Sequence, residues 1–212
     1  MARRGIFITL EGGEGSGKSH QLDELARRVE GAGRAVVRAR EPGGTPLGER
    51  LRELLLDLSS AGPVALDPLT ETFLFAAARA ELVAEVIAPA LDRGDAVLCD
   101  RFGDSTAAYQ GYGRGVDLSL IDRLNAAAAR GLVPDLTVLL DLAPSEGLAR
   151  AGETQADRFE REAPAFHERV RDGYRQLAAR EPQRWLAVDA TQSVAEVTQA
   201  IWPRVEQLLA VR

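Results

Sequence analysis

Ile6-Phe7-Ile8-Thr9-Leu10-Glu11-Gly12-Gly13-Glu14-Gly15-Ser16-Gly17-Lys18-Ser19 is the stretch on which the fold turns. Residues 6–10 form an apolar, β-branched run of strand length, and the last eight residues fit G-x-x-x-x-G-K-[ST]. Directly after them Leu22, Leu25 and Val29 share one helical face. A strand, a glycine-rich turn and a helix in that order form a phosphate cradle. The glycines let successive N–H groups aim at phosphate oxygens, and the helix adds its positive end. Gly12 to Ser19 is therefore the expected ATP-binding loop: Gly12, Gly13, Glu14, Gly15, Ser16, Gly17, Lys18 and Ser19. Lys18 is expected at the β- and γ-phosphates, and the Ser19 hydroxyl on Mg²⁺. The alternative is a glycine-rich turn that happens to carry Lys-Ser.

Working outward, residues 36–38, 96–99, 136–142 and 185–188 read as further strands separated by helical patterns. Several are apolar on both faces, as strands are when helices cover both sides of a parallel sheet. The order predicts a three-layer α/β fold, a five-stranded parallel sheet with helices on both faces. Phe166, Val170, Tyr174 and Leu177 share one helical face, as do Val194, Val197, Ile201, Val205 and Leu208. Pro203 is expected to kink or split the last helix. Residues 151–157 read as a mobile loop. There is no internal repeat or low-complexity linker, and 212 residues suit one domain.

The net charge of -6 argues against sequence-independent binding to nucleic acid, which depends on Lys and Arg. Cys99 is the only cysteine and has no internal partner. The opening MARRGIFITLEGGEG does not read as a signal peptide, and no stretch has the length of a membrane span. A soluble, cytoplasmic protein is expected.

The phosphate loop alone does not fix the reaction, because it serves kinases, GTPases and motor ATPases alike. A GTPase would need Asn-Lys-x-Asp for guanine, yet the only asparagine, Asn125, is followed by alanines. The third strand ends at Asp100-Arg101-Phe102, and ligands of open parallel sheets bind at the carboxyl ends of strands. There Asp100 can hold a magnesium-bound water and Arg101 can bridge donor and acceptor phosphates; the bland alternative is a surface ion pair.

Four segments resemble the thymidylate kinase family, over nearly the whole chain. They are Glu11 to Ser19; Arg40-Glu41-Pro42-Gly43-Gly44-Thr45; Thr70-Glu71 with Phe75 and Arg79; and Asp100-Arg101-Phe102 through Ser105, Ala108, Tyr109, Gln110 and Gly111. The resemblance implies a P-loop kinase that phosphorylates dTMP from MgATP. Phe75 would stack on thymine and Arg79 would hydrogen-bond a base carbonyl; their spacing of four puts both on one helical face. Phe73 and Leu74 remain the better core candidates. Ser105, Thr106 and Gln110 would line the acceptor site, Tyr109 would crowd a ribose 2′-hydroxyl, Arg52 would hold the acceptor phosphate, and Glu41 would order that side. Alternatively, Tyr109 packs on the helix behind it and Arg52 pairs with Glu49 or Asp57. The family is generally homodimeric, and 51–58, 73–87 and 117–129 offer faces for it.

In the bacterial type of the family a short lid, here 147–160, supplies the arginine that its phosphate loop lacks. Arg150 and Arg158 fit that pattern, while Gly152 and Glu153 depart from it. Lys18, Arg101, Arg150 and Arg158 are the expected charge-stabilising residues, with Ser19 and Asp100 serving the metal. Cys99 reads as core, and neither His20 nor His167 has a second ligand at metal spacing. Two rival readings stand: a kinase for another monophosphate or a deoxynucleoside, and a P-loop switch ATPase.

Overall fold

The computed structural model describes residues 5–56, 66–151 and 157–211. Five strands, β1 (Ile6–Glu11), β2 (Val36–Arg40), β3 (Ala96–Asp100), β4 (Leu136–Asp141) and β5 (Trp185–Asp189), pair in parallel in the order β2-β3-β1-β4-β5. Four of them run past their apolar stretches into Glu11, Arg40, Asp100 and Asp189, while β4 stops at Asp141 rather than Leu142. Polar residues continue a ladder where strand ends open into a crevice.

The helices are α1 (Lys18–Gly31), α2 (Pro46–Leu55), α3 (Pro68–Leu82), α4 (Ala88–Asp92), α5 (Gly103–Thr106), α6 (Leu118–Ala128), α7 (Pro144–Ala151), α8 (Pro164–Arg180) and α9 (Val194–Val211). Two π-helical stretches, Val83–Ile87 and Ala107–Gly113, continue α3 and α5. Leu22, Leu25 and Val29 of α1 with Val197, Ile201 and Val205 of α9 cover Ile6, Ile8 and Leu10 on one sheet face. On the other, Phe7, Val97 and Cys99 meet Leu82, Val83 and Ile87, and Leu139 meets Phe166, Val170 and Tyr174 of α8. Because β1 is central and Leu10 pairs with both Asp100 and Val138, the loop after β1 lies beside the end of β3. This is the switch point of the sheet, where ligands of such folds bind.

Helix α9 runs through Pro203 without being split, the proline sitting on its exposed side. Two expectations need correction. Val194 is 46% exposed, since it opens α9 ahead of the buried stripe. Phe73 is 48% exposed and not core, because α3 turns Glu71, Thr72, Ala76 and Arg79 inward instead. The expected mobile loop falls mainly on 152–156, outside the described residues, as do Gly152 and Glu153.

Candidate active site

A cavity of about 600 Å³ opens at the carboxyl ends of β1, β2 and β3. On one side of it the loop from β1 to α1 winds through left-handed glycines, with φ of 62° at Gly15 and 88° at Gly17. Gly15 also lies directly against Gly147 of α7, so that a side chain on either would strike the other segment's backbone. The start of the expected lid is thereby seated on the phosphate loop itself. Lys18 is buried, and its ammonium donates to Gly12 O at 3.2 Å, Gly13 O at 2.8 Å and Ser16 Oγ at 3.3 Å. Burial pulls its pKa down and Arg101 adds to the effect, against Glu14. Ser19 Oγ donates to Asp100 Oδ2 at 3.2 Å.

Arg101 follows β3 with φ of 68°, a left-handed conformation that costs a non-glycine residue and concentrates at functional sites. Its Nη1 donates to Gly12 O at 3.0 Å and Tyr174 OH at 3.2 Å, and its Nη2 to Glu14 Oε1 at 2.9 Å. The pairing is thus to the phosphate loop, not a surface ion pair. Tyr109 OH donates to the same Glu14 oxygen at 2.6 Å. Burial works to raise the Glu14 pKa, but Arg101, then Lys18, hold the carboxyl at about 2. A depressed carboxylate stabilises the fold above its ordinary value of 4.5, and loses that contribution as pH falls towards 2. The melting temperature of Glu14→Gln should therefore converge on that of the unsubstituted protein between pH 5 and about 2 in a thermal scan series. A constant gap would contradict the ion pair.

The opposite side of the cavity is built on α3 and the π-helical stretch Ala107–Gly113. Arg79 is 1% exposed, its Nε 2.9 Å from Glu41 Oε2 and its Nη2 2.7 Å from the same oxygen. Nη1 donates to Asn125 Oδ1 at 2.6 Å and Nη2 to Thr106 Oγ1 at 2.7 Å. Phe75 lines the cavity, its ring 6.0 Å from that of Phe159. Tyr109 packs its ring edge-on against Phe166 and Tyr174 of α8, the helix behind it, and also lines the cavity. Gln110 Nε2 donates to Glu71 Oε1 at 2.8 Å. Ser105 Oγ is 2.5 Å from Glu11 Oε2. Arg52 turns inward, Nη1 donating to Pro42 O at 3.0 Å, while Glu49 pairs with Arg40.

Of the expected site residues, Glu14 to Ser19, Glu41, Arg52, Phe75, Arg79, Asp100, Arg101, Ser105, Thr106, Tyr109, Gln110 and Arg150 all line this cavity. Gly12 and Gly13 lie behind its wall, offering carbonyls to Lys18. The two lid arginines part ways. Arg150 reaches the cavity with Nη1 on Ala190 O at 2.9 Å. Arg158 does not line it: Nε donates to Leu55 O at 3.1 Å and Nη2 to Glu71 Oε2 at 2.7 Å. Sequence reasoning gave no role to Glu71, Glu11, Asn125, Tyr174 or Phe159. Glu11 closes the apolar run of β1, and a charged residue there was the available signal; Glu71, between Thr70 and Thr72, offered none. Cys99 is buried as expected, and burial raises its thiol well above the usual range.

A phosphate loop, an Asp-Arg strand end and a pocket pairing an aromatic ring with a buried arginine, joined in one cavity, define a phosphotransferase of the nucleoside-monophosphate kinase class. The family model described as thymidylate kinase matches residues 10–201. A thymidylate kinase of Solidesulfovibrio magneticus is 54% identical, over 96% of this chain and all of that one. One of Deinococcus radiodurans is 52% identical, over 96% of this chain and 98% of the relative. The crystal structure of thymidylate kinase from Ehrlichia chaffeensis superposes with a TM-score of 0.73 at 36% identity, over 97% of this chain and 99% of that chain. The chain belongs to the thymidylate kinase family.

Proposed function

We propose that this enzyme transfers the γ-phosphate of MgATP to dTMP, giving dTDP and ADP, by direct in-line displacement. The observation that carries the reading is the single cavity shared by the loop of Lys18 and the pocket of Phe75, Arg79, Tyr109 and Gln110. Donor and acceptor phosphates can then meet without a phospho-enzyme, and a phosphate dianion requires no general base. Lys18 leaves the loop carbonyls for phosphate oxygens, and Arg101 bridges the two phosphoryl groups as charge moves between them. Ser19 and Asp100 are hard oxygen donors and fit Mg²⁺, which when bound with ATP neutralises charge on the β- and γ-oxygens. Phe75 stacks on the thymine ring and Arg52 holds the acceptor phosphate. Glu41 orders that side by fixing Arg79, whose remaining Nη1 hydrogen is offered to the base.

Arg150 is the lid arginine of the donor side, and Arg158 anchors the returning chain to α3. Arg150→Ala should lower turnover by about 10- to 100-fold with the dTMP KM unchanged, as a contact made mainly in the transition state does. Unchanged turnover would move the role elsewhere. The enzyme works as a cytoplasmic homodimer. Leu69 and Phe73, one turn apart on α3 and 39% and 48% exposed, support a dimer face there. The single buried thiol, and the lack of any described helix able to cross a membrane, support the compartment. Initial velocities with both substrates varied test direct transfer. Intersecting lines are expected, and parallel lines, the mark of a covalent phospho-enzyme, would contradict it.

A further inference from the structure

Glu11, the last residue of β1, is fully buried. Strand alternation places it on the face of Phe7 and Thr9, away from the α1 and α9 layer. Its Oε1 accepts from Phe102 N–H at 2.8 Å. Its Oε2 accepts from Ser105 Oγ at 2.5 Å and from Tyr174 OH at 3.1 Å. Both hydroxyls in turn face Arg101 Nη1, at 3.5 Å and 3.2 Å. One carboxyl thus grips Arg101 from two directions: the peptide that follows its left-handed residue, and the hydroxyl pair against its guanidinium. We propose that Glu11 is a positioning residue for phosphoryl transfer, holding Arg101 against Gly12 and Glu14 through Phe102 N–H, Ser105 and Tyr174.

The inference rests on Arg101 being the arginine that spans the transferring phosphoryl group. Its logic is that of a buried group orienting one that touches substrate: a left-handed backbone persists only where its surroundings over-determine it. The charged groups around Glu11 are Asp104 of α5, Arg101 at the end of β3 and Lys18 of α1, with Tyr174 of α8. Burial, then Asp104, push its carboxyl pKa up, against the hydrogen bond from Ser105, the charge of Arg101 and the Phe102 N–H.

The test is a kinetic double-mutant cycle read with the thermal midpoint of each variant. Arg101→Lys should lower kcat on the order of 100-fold by losing the guanidinium fork. Glu11→Ala should lower kcat by about 10- to 100-fold with both KM values within about 3-fold of the unsubstituted enzyme, since misplacing a transition-state group costs turnover rather than binding. Adding Glu11→Ala to Arg101→Lys should cost less than about 3-fold more, because both act through one guanidinium. Glu11→Gln, which keeps the side-chain length and one acceptor oxygen and lets the two hydroxyls turn to accept from its amide, should restore kcat to within about 5-fold. Losses that multiply, or a Glu11→Ala effect on KM alone, would overturn the proposal while leaving the role of Arg101 intact. Unchanged turnover in Arg101→Lys would instead overturn that role, and the proposal with it. Should Glu11→Ala fail to fold, Tyr174→Phe removes one arm of the clamp. A kcat loss that disappears in the Arg101→Lys background is expected, and one that persists there contradicts the proposal.

Discussion

Lys18→Ala should slow turnover by about 1000-fold or more, while dTMP binds with its affinity unchanged within about 2-fold. The ammonium is buried at the neck of the phosphate loop and held by three oxygens of Gly12, Gly13 and Ser16, all on the donor side. It shares no hydrogen bond with the pocket of Phe75 and Arg79, so its loss should fall on the γ-phosphate as charge develops there. Arginine at the same position would not rescue the activity, because a planar fork does not fit a neck built for a point charge. Kinetics by coupled ADP release, with dTMP affinity by calorimetry, separate the two effects. Equal losses in turnover and dTMP binding would place Lys18 in the wrong half of the cavity.

Arg79→Ala should abolish measurable dTMP affinity and destabilise the fold by about 3–5 kcal/mol, the cost of leaving one partner of a buried ion pair alone. Both members are sealed from water, with side chains 1% and 4% exposed. Burial already drives the Glu41 pKa up, and only Arg79 opposes it. Without the guanidinium, Glu41 must be protonated or hydrated, and Thr106 and Asn125 lose a shared donor. The binding and folding roles can be told apart. Arg79→Ala combined with Glu41→Gln removes the stranded charge, so most of the stability should return while dTMP binding does not. Recovery of both would show that Arg79 only builds the pocket, and recovery of neither would show that the pair is not the source of the stability.

The sheet was legible because its strands announce themselves: 6–10 and 136–142 are apolar on both faces, as only a doubly covered parallel strand is. The phosphate loop was legible because its glycine spacing and Lys18 form a local motif, set between a strand and a helix. Helix α3 was not legible in the same way. Its buried side carries Glu71, Thr72 and Arg79, while Phe73 faces outward, so hydrophobic periodicity pointed the wrong way. Such an inversion is expected where a helix builds a polar site rather than a core. The second layer was hidden for a related reason. Glu11 and Tyr174 are 163 positions apart in the chain, and only the packing of α8 over the Ala107–Gly113 stretch and the sheet brings them together. Asn125, weighed in the sequence only as a missing guanine motif, proves to be a partner of Arg79. Arg158 carries the charge of a lid arginine, but its neighbours Glu71 and Leu55, at the two ends of a separate stretch of chain, give it an anchoring place.

The most direct measurement is coupled ADP release with MgATP against dTMP, dUMP, CMP, UMP, AMP, GMP and thymidine at matched concentrations. A clear preference for dTMP is expected, from the stacked-ring pocket of Phe75 and Arg79 together with Tyr109 at the sugar. Preference for another acceptor would keep the phosphotransferase but contradict that pocket's specificity, and ADP release indifferent to any acceptor would contradict the transfer reaction itself.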